Sequence, residues 1–114
     1  MITLYGIPNC DTIKKARAWL EKNNIEYQFH DFKQAAPTAT QLSQWITQLG
    51  WEALLNKRST SWRNLSDKDK DKLDQTRASK IMLAQPVIIK RPVLDKNGDF
   101  YAGFSDKTYS DIFK

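Results

Sequence analysis

The sequence predicts an α/β fold in which a strand–helix–strand unit and a terminal hairpin with its helix flank a block of helices. Three observations support this prediction: apolar residues change from helical spacing to period two within the first 30 residues, a complete helix signature stands mid-chain, and an Asn-Gly pair separates two apolar runs near the end. The chain has 114 residues and a mass of 13.2 kDa, which is the size of one domain. We therefore expect a single domain over residues 1–114.

The N-terminal third predicts a βαβ unit. Ile2–Tyr5 is short, β-branched and aromatic, and Gly6 ends it, which is typical of a first strand. A helix is expected from about Cys10, because apolar residues recur at helical spacing across residues 13–20. Residues 25–29 then alternate apolar and polar side chains, which predicts a half-buried second strand. A strand, a helix and a strand in this order favour a right-handed βαβ unit.

The middle of the chain predicts helices only. Thr38 and Gln41 have the spacing of a capping box, an apolar stripe follows, and Gly50 provides a stop, which together predict a helix over residues 38–49. After it we expect a short helix, an irregular loop and a second long helix capped by Ser66, at residues 51–55, 56–64 and 66–84. The predicted helical insertion therefore occupies about residues 37–85.

The last third predicts a hairpin followed by a helix. Asn97-Gly98 between two apolar runs is the strongest short-range hairpin signal and implies a type I′ turn. Ser105 can cap a final helix that carries an apolar face. The elements outside the insertion, at about residues 1–35 and 86–114, are expected to form one core.

Composition and charge exclude several classes of protein. With 40% hydrophobic residues, 27% charged residues and a net charge of +5, the chain is too apolar and too balanced for disorder. No apolar run approaches the roughly 18 residues that cross a bilayer, and the N-terminus lacks the pattern of a signal peptide, so we expect a cytoplasmic protein without membrane contact. The cations are scattered, which argues against direct nucleic-acid binding. One cysteine and one histidine offer no metal cluster, and we expect a monomer without metal or bound cofactor.

The single cysteine is the candidate nucleophile. Cys10 stands at the predicted start of a helix, where partial positive charge and unpaired N–H groups favour a thiolate over a thiol. Basic residues in the next two turns, such as Lys14 and Arg17, can add to this effect, whereas Asp11 opposes it. The alternative is a buried cysteine that acts only as a small hydrophobe.

The neighbours of Cys10 narrow its chemistry. Position 13 is Ile, so the chain has no Cys-x-x-Cys pair, and the thiol that resolves a mixed disulfide must come from another molecule such as glutathione. Asn9 and Thr12 can donate hydrogen bonds to the thiolate or to an anionic group of a substrate. Either residue also fits the role of a plain helix cap. Glutathione is the expected co-substrate.

Four segments of the chain together resemble the ArsC/Spx family of arsenate reductase-like proteins, and most closely its YffB-type branch. These segments are Tyr5–Thr12, Glu52–Arg58, Pro86–Pro92 and Gly103–Asp106. Their order and separations extend over essentially the whole chain. The resemblance implies a thioredoxin-like fold with an all-helical insertion between an N-terminal βαβ unit and a C-terminal ββα unit, which agrees with the element order predicted above.

The resemblance also implies a site. Family members that reduce arsenate use the cysteine corresponding to Cys10 as nucleophile, bind the oxyanion with arginines, and complete the cycle with glutathione and glutaredoxin. Arg91 matches one of these arginines. The position of the second holds Asn56, with Arg58 two residues later, and the position of the third holds Gly103. Pro92 corresponds to a cis-proline that faces the active cysteine and shapes the cleft. An arginine holds two oxygens of a tetrahedral anion at once, so the reduced set predicts inefficient arsenate reduction.

Three functions are compatible with these residues. The first is a glutathione-dependent thiol–disulfide reductase in which Cys10 is the nucleophile and Arg91, with Arg58, binds an anionic group. The second is an Spx-like regulator that binds the C-terminal domain of the RNA polymerase α subunit, although the Cys-x-x-Cys switch of the best known Spx proteins is removed here by Ile13. The third is a weak arsenate reductase coupled to glutathione and glutaredoxin. We expect the first; for Arg91 the alternative role is a surface ion pair.

Overall fold

The computed structural model describes residues 2–114. Residue 1, where the predicted core begins, lies outside this range. Its sheet has four strands, β1 (Ile2–Gly6), β2 (Tyr27–Asp31), β3 (Val93–Lys96) and β4 (Asp99–Ala102). Their spatial order is β2-β1-β3-β4, with β1 parallel to β2 and antiparallel to β3, and β3 antiparallel to β4. The parallel pair joined through a helix and the terminal hairpin confirm the predicted α/β fold.

Helices connect and follow the strands. In residues 2–114 they are α1 (Asp11–Lys22), α2 (Ala39–Leu49), α3 (Trp51–Leu54), α4 (Thr60–Arg63), α5 (Asp67–Lys70), α6 (Gln75–Ala84) and α7 (Asp106–Ile112), with a 3₁₀ turn at Pro86–Ile88. None of these described helices is long and apolar enough to span a membrane. The chain divides into two compact units, one formed by the described residues up to Ala35 together with Arg91–Lys114, and the other by Ala36–Lys90.

One face of the sheet carries the core of the first unit. Leu4 and Leu94 lie opposite each other in β1 and β3, and both are fully buried. The apolar face of α1 contributes Ala16 and Leu20 to the same cluster, and α7 contributes Tyr109. Side chains alternate across a strand and recur every three to four residues along a helix, so one apolar face of each element is enough to enclose this core.

Gly6 allows β1 and the buried side of α1 to approach closely. A Cβ atom at this position would lie well inside van der Waals distance of the Cδ1 methyl of Ile13, a fully buried side chain. We expect Gly6→Ala to lower the free energy of unfolding by about 1–3 kcal/mol, measured by chemical denaturation, because Ile13 is tightly enclosed. Ile13→Val removes the colliding methyl, so the losses in the double variant should be less than additive. Additive losses would contradict this explanation.

Tyr109 buries its hydroxyl without a partner. The side chain is 0% exposed, and its oxygen has no hydrogen-bond partner among residues 2–114. An unpaired buried hydroxyl lowers the free energy of unfolding by about 1–3 kcal/mol, whereas the phenyl ring of phenylalanine carries no such penalty. We therefore expect Tyr109→Phe to stabilise the fold by about 1 kcal/mol, seen as a rise of about 4 °C in Tm.

The same variant should respond differently to alkaline pH. Burial raises the pKa of the Tyr109 phenol above its ordinary value of 10.0, so the folded protein keeps this proton where the unfolded chain has lost it. Stability then falls as the pH rises above about 10, while below that pH both states hold the proton and the contribution is constant. The gain from Tyr109→Phe should grow between about pH 9 and pH 11. A constant gain, or a lower Tm at neutral pH, would overturn this prediction.

The predicted irregular loop at residues 56–64 is wrong in its second half. Thr60–Arg63 forms the one-turn helix α4. Its cap is Ser59, whose hydroxyl oxygen accepts a hydrogen bond from the Trp62 backbone N–H at 3.1 Å. The serine content that indicated a loop supplies this cap, because a short hydroxyl side chain competes for nearby backbone N–H groups.

The predicted helix over residues 66–84 is interrupted. Ser66 caps only the short α5, and the positive φ of 50° at Lys72 is incompatible with helical continuation. A new helix, α6, then begins with Asp74 as its cap, whose carboxylate accepts from the Arg77 N–H at 2.9 Å. The alternating charges of this segment sustain a helical pattern across the break, which is why the second cap was missed.

Other local signals agree with the structure. α1 begins directly after Cys10, which is its N-cap. Thr38 and Gln41 form the predicted capping box with reciprocal hydrogen bonds of 3.1 and 3.0 Å. The hairpin turn has positive φ at both Asn97 and Gly98, 54° and 98°, as a type I′ turn requires.

Candidate functional site

One edge of the sheet gathers the ends of three strands and the start of the fourth. Gly6 at the end of β1 lies opposite Asp31 at the end of β2. Tyr5 lies opposite Val93, the first residue of β3, and Val93 lies opposite Ala102, the last residue of β4. Four segments therefore enter or leave the sheet at this edge, and we refer to three of them as the site edge: residues 7–10, 91–92 and 103–105.

Cys10 ends the first of these segments and begins α1. Its backbone is extended, with φ −96° and ψ 130°, and its carbonyl accepts the first helical hydrogen bond from Lys14 at 3.0 Å. The residue is half-buried, its thiol is free, and its side chain makes no capping bond. The backbone N–H groups of the first turn precede that first bond and have no acceptor within the helix. Their dipoles favour negative charge at this position, with Asp11 opposing.

Asn9 and Thr12 lie on either side of this cysteine. Asn9 is exposed in the turn that connects β1 to α1, and Thr12 is half-buried in the first turn of the helix. Neither side chain caps α1, because the cap position belongs to Cys10. Both residues therefore flank the start of α1 without capping it.

The second segment of the site edge holds Arg91 and Pro92. The peptide bond between them is cis, Pro92 is buried, and Arg91 is half-buried. Because Tyr5 pairs with Val93, Pro92 falls at the register position of Gly6, where the chain turns toward Cys10. The proline and the cysteine-bearing segment thus depart from the same point of the sheet.

The third segment is tied to the second by the backbone. The N–H of Gly103 donates to the carbonyl oxygen of Pro92 at 2.9 Å. Gly103 has φ 83°, a left-handed conformation that glycine adopts without strain and other residues do not. This link was not anticipated, although the Gly-Phe-Ser-Asp segment that begins at Gly103 pointed to the position.

Arg58 belongs to the other compact unit, Ala36–Lys90. It is exposed, and its backbone N–H donates to the Asn56 side-chain oxygen at 3.1 Å. Asn56 itself donates its backbone N–H to the Ile88 carbonyl at 2.9 Å, which anchors the turn that presents the arginine. Five of the six candidate residues thus lie in the first unit, and Arg58 lies in the second.

Arg17 does not act as one of the cations around Cys10. Its guanidinium carbon lies 4.4 Å from the centre of the Phe29 ring, and its Nε donates to the Tyr27 hydroxyl at 3.0 Å. These contacts hold the guanidinium group of Arg17 against β2. The sequence pattern gave only the spacing along α1, whereas the direction of the side chain depends on the neighbouring strand.

Two titratable groups on the strands beside the site edge, His30 and Tyr5, make structural contacts. His30 makes a 2.8 Å hydrogen bond between Nε2 and the Ala35 carbonyl, and its ring lies 4.9 Å from that of Tyr5. Burial, and secondarily the Asp95 carboxylate, raises the pKa of Tyr5, so this phenol stays protonated at neutral pH. Within residues 2–114 no three His, Cys, Asp or Glu side chains are grouped to hold a metal ion.

Comparisons with known proteins agree with this architecture. A model of the ArsC family matches residues 5–112. A solved structure of a protein named YFFB is 41% identical, with a TM-score of 0.94 and 97% of each chain covered. The solution structure of an arsenate reductase (ArsC) related protein from Brucella melitensis is 43% identical, with a TM-score of 0.79 over 99% of this chain and 94% of that one. The global transcriptional regulator Spx of Streptococcus mutans is 28% identical over 93% of this chain and 78% of its own length.

Proposed function

Because this chain belongs to the ArsC family and has its thioredoxin-like α/β fold, we propose that it is a glutathione-dependent thiol–disulfide reductase with Cys10 as its nucleophile. The observation that carries this proposal is the position of Cys10 as the N-cap of α1, on the edge that also holds Pro92 and Gly103. The thiol is free and half-buried, and it belongs to the residue at which α1 begins. A reducing, cytoplasmic setting that supplies glutathione is part of the proposal.

The reaction proceeds by two exchanges. The Cys10 thiolate attacks the glutathione sulfur of a mixed disulfide R–S–S–G, the S–S bond breaks, and the thiolate R–S⁻ leaves and takes a proton from water. The adduct Cys10–S–S–G is then attacked by the thiolate of a second glutathione, which releases glutathione disulfide and restores Cys10. The net reaction converts the mixed disulfide and one glutathione thiol into the reduced substrate R–SH and glutathione disulfide. The second thiol must be external, because Cys10 is the sole cysteine of the chain.

The other candidate residues bind charge and shape the cleft. Arg91 offers a planar pair of donors to a carboxylate of glutathione, and Arg58 is the second arginine that we propose for anion binding. Asn9 and Thr12 donate to the thiolate or to the bound anion at the start of α1. Pro92 forms the wall beside the cysteine-bearing segment. Glutaredoxin is the protein partner that can regenerate Cys10 in place of free glutathione.

Mass spectrometry tests the central step. After exposure to oxidised glutathione, the wild-type chain should carry one glutathione adduct on Cys10, and reduced glutathione should remove it. The Cys10→Ser variant should carry none. If the wild-type chain forms no adduct, the reductase proposal loses its first step.

The Spx alternative is less well supported. Spx is the more distant relative, and Ile13 stands where a second cysteine would complete a Cys-x-x-Cys switch. A pull-down with the C-terminal domain of the RNA polymerase α subunit addresses it directly. Binding that survives Cys10→Ser would favour a regulatory role over the reductase.

Arsenate reduction is also disfavoured by the backbone. The position that would supply a third arginine is Gly103, whose φ of 83° is unfavourable for an arginine. The backbone conformation at position 103 therefore favours glycine over the third arginine. A turnover assay with arsenate, glutathione and glutaredoxin tests this third function, and measurable activity would show that two arginines suffice.

A further inference from the structure

A groove lies between α1 and the segment that begins α7, within the same compact unit as Cys10. Its volume is about 780 Å³, which is within the usual range of ligand-binding sites. Trp19 and Phe104, both half-buried, are the aromatic residues of its lining. Each ring meets Tyr109 edge to face, with centroids 5.5 and 4.6 Å away. The buried tyrosine thus supports the aromatic lining from behind.

The α1 side of the groove is positively charged. Lys15 and Lys22 line it, both are exposed, and neither forms an ion pair with a carboxylate of residues 2–114. They stand seven residues apart on one face of the helix, roughly 10 Å along its axis. Asp106 is the acidic residue of the opposite wall. The α1 wall therefore complements a segment that carries two negative charges.

The groove begins beside the site edge. Phe104 and Ser105 belong to both, and the backbone bond from Gly103 to Pro92 fixes that segment. Along the axis of α1, Lys15 lies about 8 Å from Cys10 and Lys22 about 18 Å. An extended peptide of about six residues covers that distance. A bound peptide whose own cysteine lies against Cys10 can thus place its following residues along the groove.

We propose that this groove binds the peptide part of the substrate, so that the preferred substrate is a glutathionylated protein segment in which apolar residues stand between two acidic residues after its cysteine. This inference rests on the proposed reductase function and names its substrate class. Trp19 and Phe104 receive the apolar side chains, and Lys15 and Lys22 pair with the acidic ones. The covalent chemistry is the exchange written above, in which the peptide thiolate leaves and glutathione is the reductant.

The test compares three mixed disulfides. One is a six-residue peptide whose glutathionylated cysteine is followed by Gly, Glu, Leu, Phe and Glu. The second has Lys in place of both Glu, and the third is the small disulfide of cysteine and glutathione. The variant is Lys15→Glu/Lys22→Glu. Its matched control is Lys72→Glu/Lys80→Glu in the other unit, because both double variants lower the net charge from +5 to +1, four units each.

The groove variant should raise KM for the acidic peptide about tenfold without changing kcat, since two surface ion pairs become two repulsions. It should lower KM for the lysine peptide and leave the small disulfide unchanged. The control variant should change none of the three. Equal changes in the two double variants, or equal changes for all three substrates, would overturn the proposal.

A binding measurement separates this inference from the reductase function. The acidic peptide, labelled with fluorescein and carrying Ser in place of its cysteine, is titrated with the full chain and followed by anisotropy. Binding that is lost in Lys15→Glu/Lys22→Glu supports the groove even if no disulfide is turned over. Reduction of the small disulfide without any peptide binding would leave the reductase function intact and refute the groove.

Discussion

Cys10→Ser should lower kcat for the reduction of a glutathione mixed disulfide by at least about 10³-fold, to the rate of uncatalysed exchange. A serine hydroxyl is not ionised at neutral pH and cannot form a disulfide, and the chain contains no other sulfur nucleophile of this kind. A spectrophotometric assay coupled to the reduction of glutathione disulfide measures the loss. Retention of a substantial fraction of the activity would show that Cys10 is not the nucleophile.

The fold should not weaken in this variant. Cys10 is the N-cap of α1 but makes no side-chain capping bond, whereas serine is among the preferred N-cap residues. We expect Cys10→Ser to keep the free energy of unfolding or to raise it by up to about 1 kcal/mol, with Tm unchanged or higher. Cys10→Ala should show the same loss of activity without this gain in stability. Loss of turnover together with unchanged or higher stability separates the chemical role of the cysteine from a structural one.

Arg91→Ala should raise KM for glutathione by about 10- to 100-fold, with a smaller change in kcat. A charge-assisted hydrogen bond to a carboxylate contributes about 1.5–3 kcal/mol, which corresponds to that change in affinity. Arg91 is half-buried beside Pro92 on the site edge, so its loss removes a donor that water replaces only in part. Arg91→Lys keeps the charge but not the planar fork, and should recover only part of the affinity.

Arg17→Ala is the matched control for this prediction. Both arginines belong to the same compact unit and both are half-buried, but the guanidinium of Arg17 is held by Phe29 and Tyr27. Its removal should cost roughly 1 kcal/mol of stability and leave KM unchanged. If Arg91→Ala instead lowers Tm without affecting KM, Arg91 is a surface ion-pairing residue and the anion site lies elsewhere.

The α/β fold could be predicted because its signals are local. The capping box at Thr38 and the turn at Asn97-Gly98 each depend on residues within four positions of one another, and both are present as expected. The break at Lys72 was missed for the opposite reason. A single residue with positive φ interrupts a charge pattern that is otherwise helical, and no short-range rule distinguishes it from a continuous solvated face.

The candidate site was predicted less completely, because part of it depends on strand register. The place of Cys10 at the start of α1 follows from its own neighbours in the sequence. The bond between Gly103 and Pro92, by contrast, requires that β3 and β4 pair in one particular register. The direction of Arg17 likewise depends on β2, which reaches α1 only in the folded chain.

The insertion between β2 and β3 also has a kinetic consequence. Leu4 and Leu94 pair directly, so the central strands of the sheet meet only when a stretch of 90 residues, 94 less 4, has closed into a loop. Compared with a loop of ten residues, this closure costs only about 2 kcal/mol more, because the entropy of closure grows with the logarithm of length. The folding rate is affected more than the stability, since the pairing of β1 with β3 is a non-local contact. A change in the length of a loop within the insertion therefore adds little to the entropy of closing the sheet, and Cys10 and Pro92 stay on the same sheet edge.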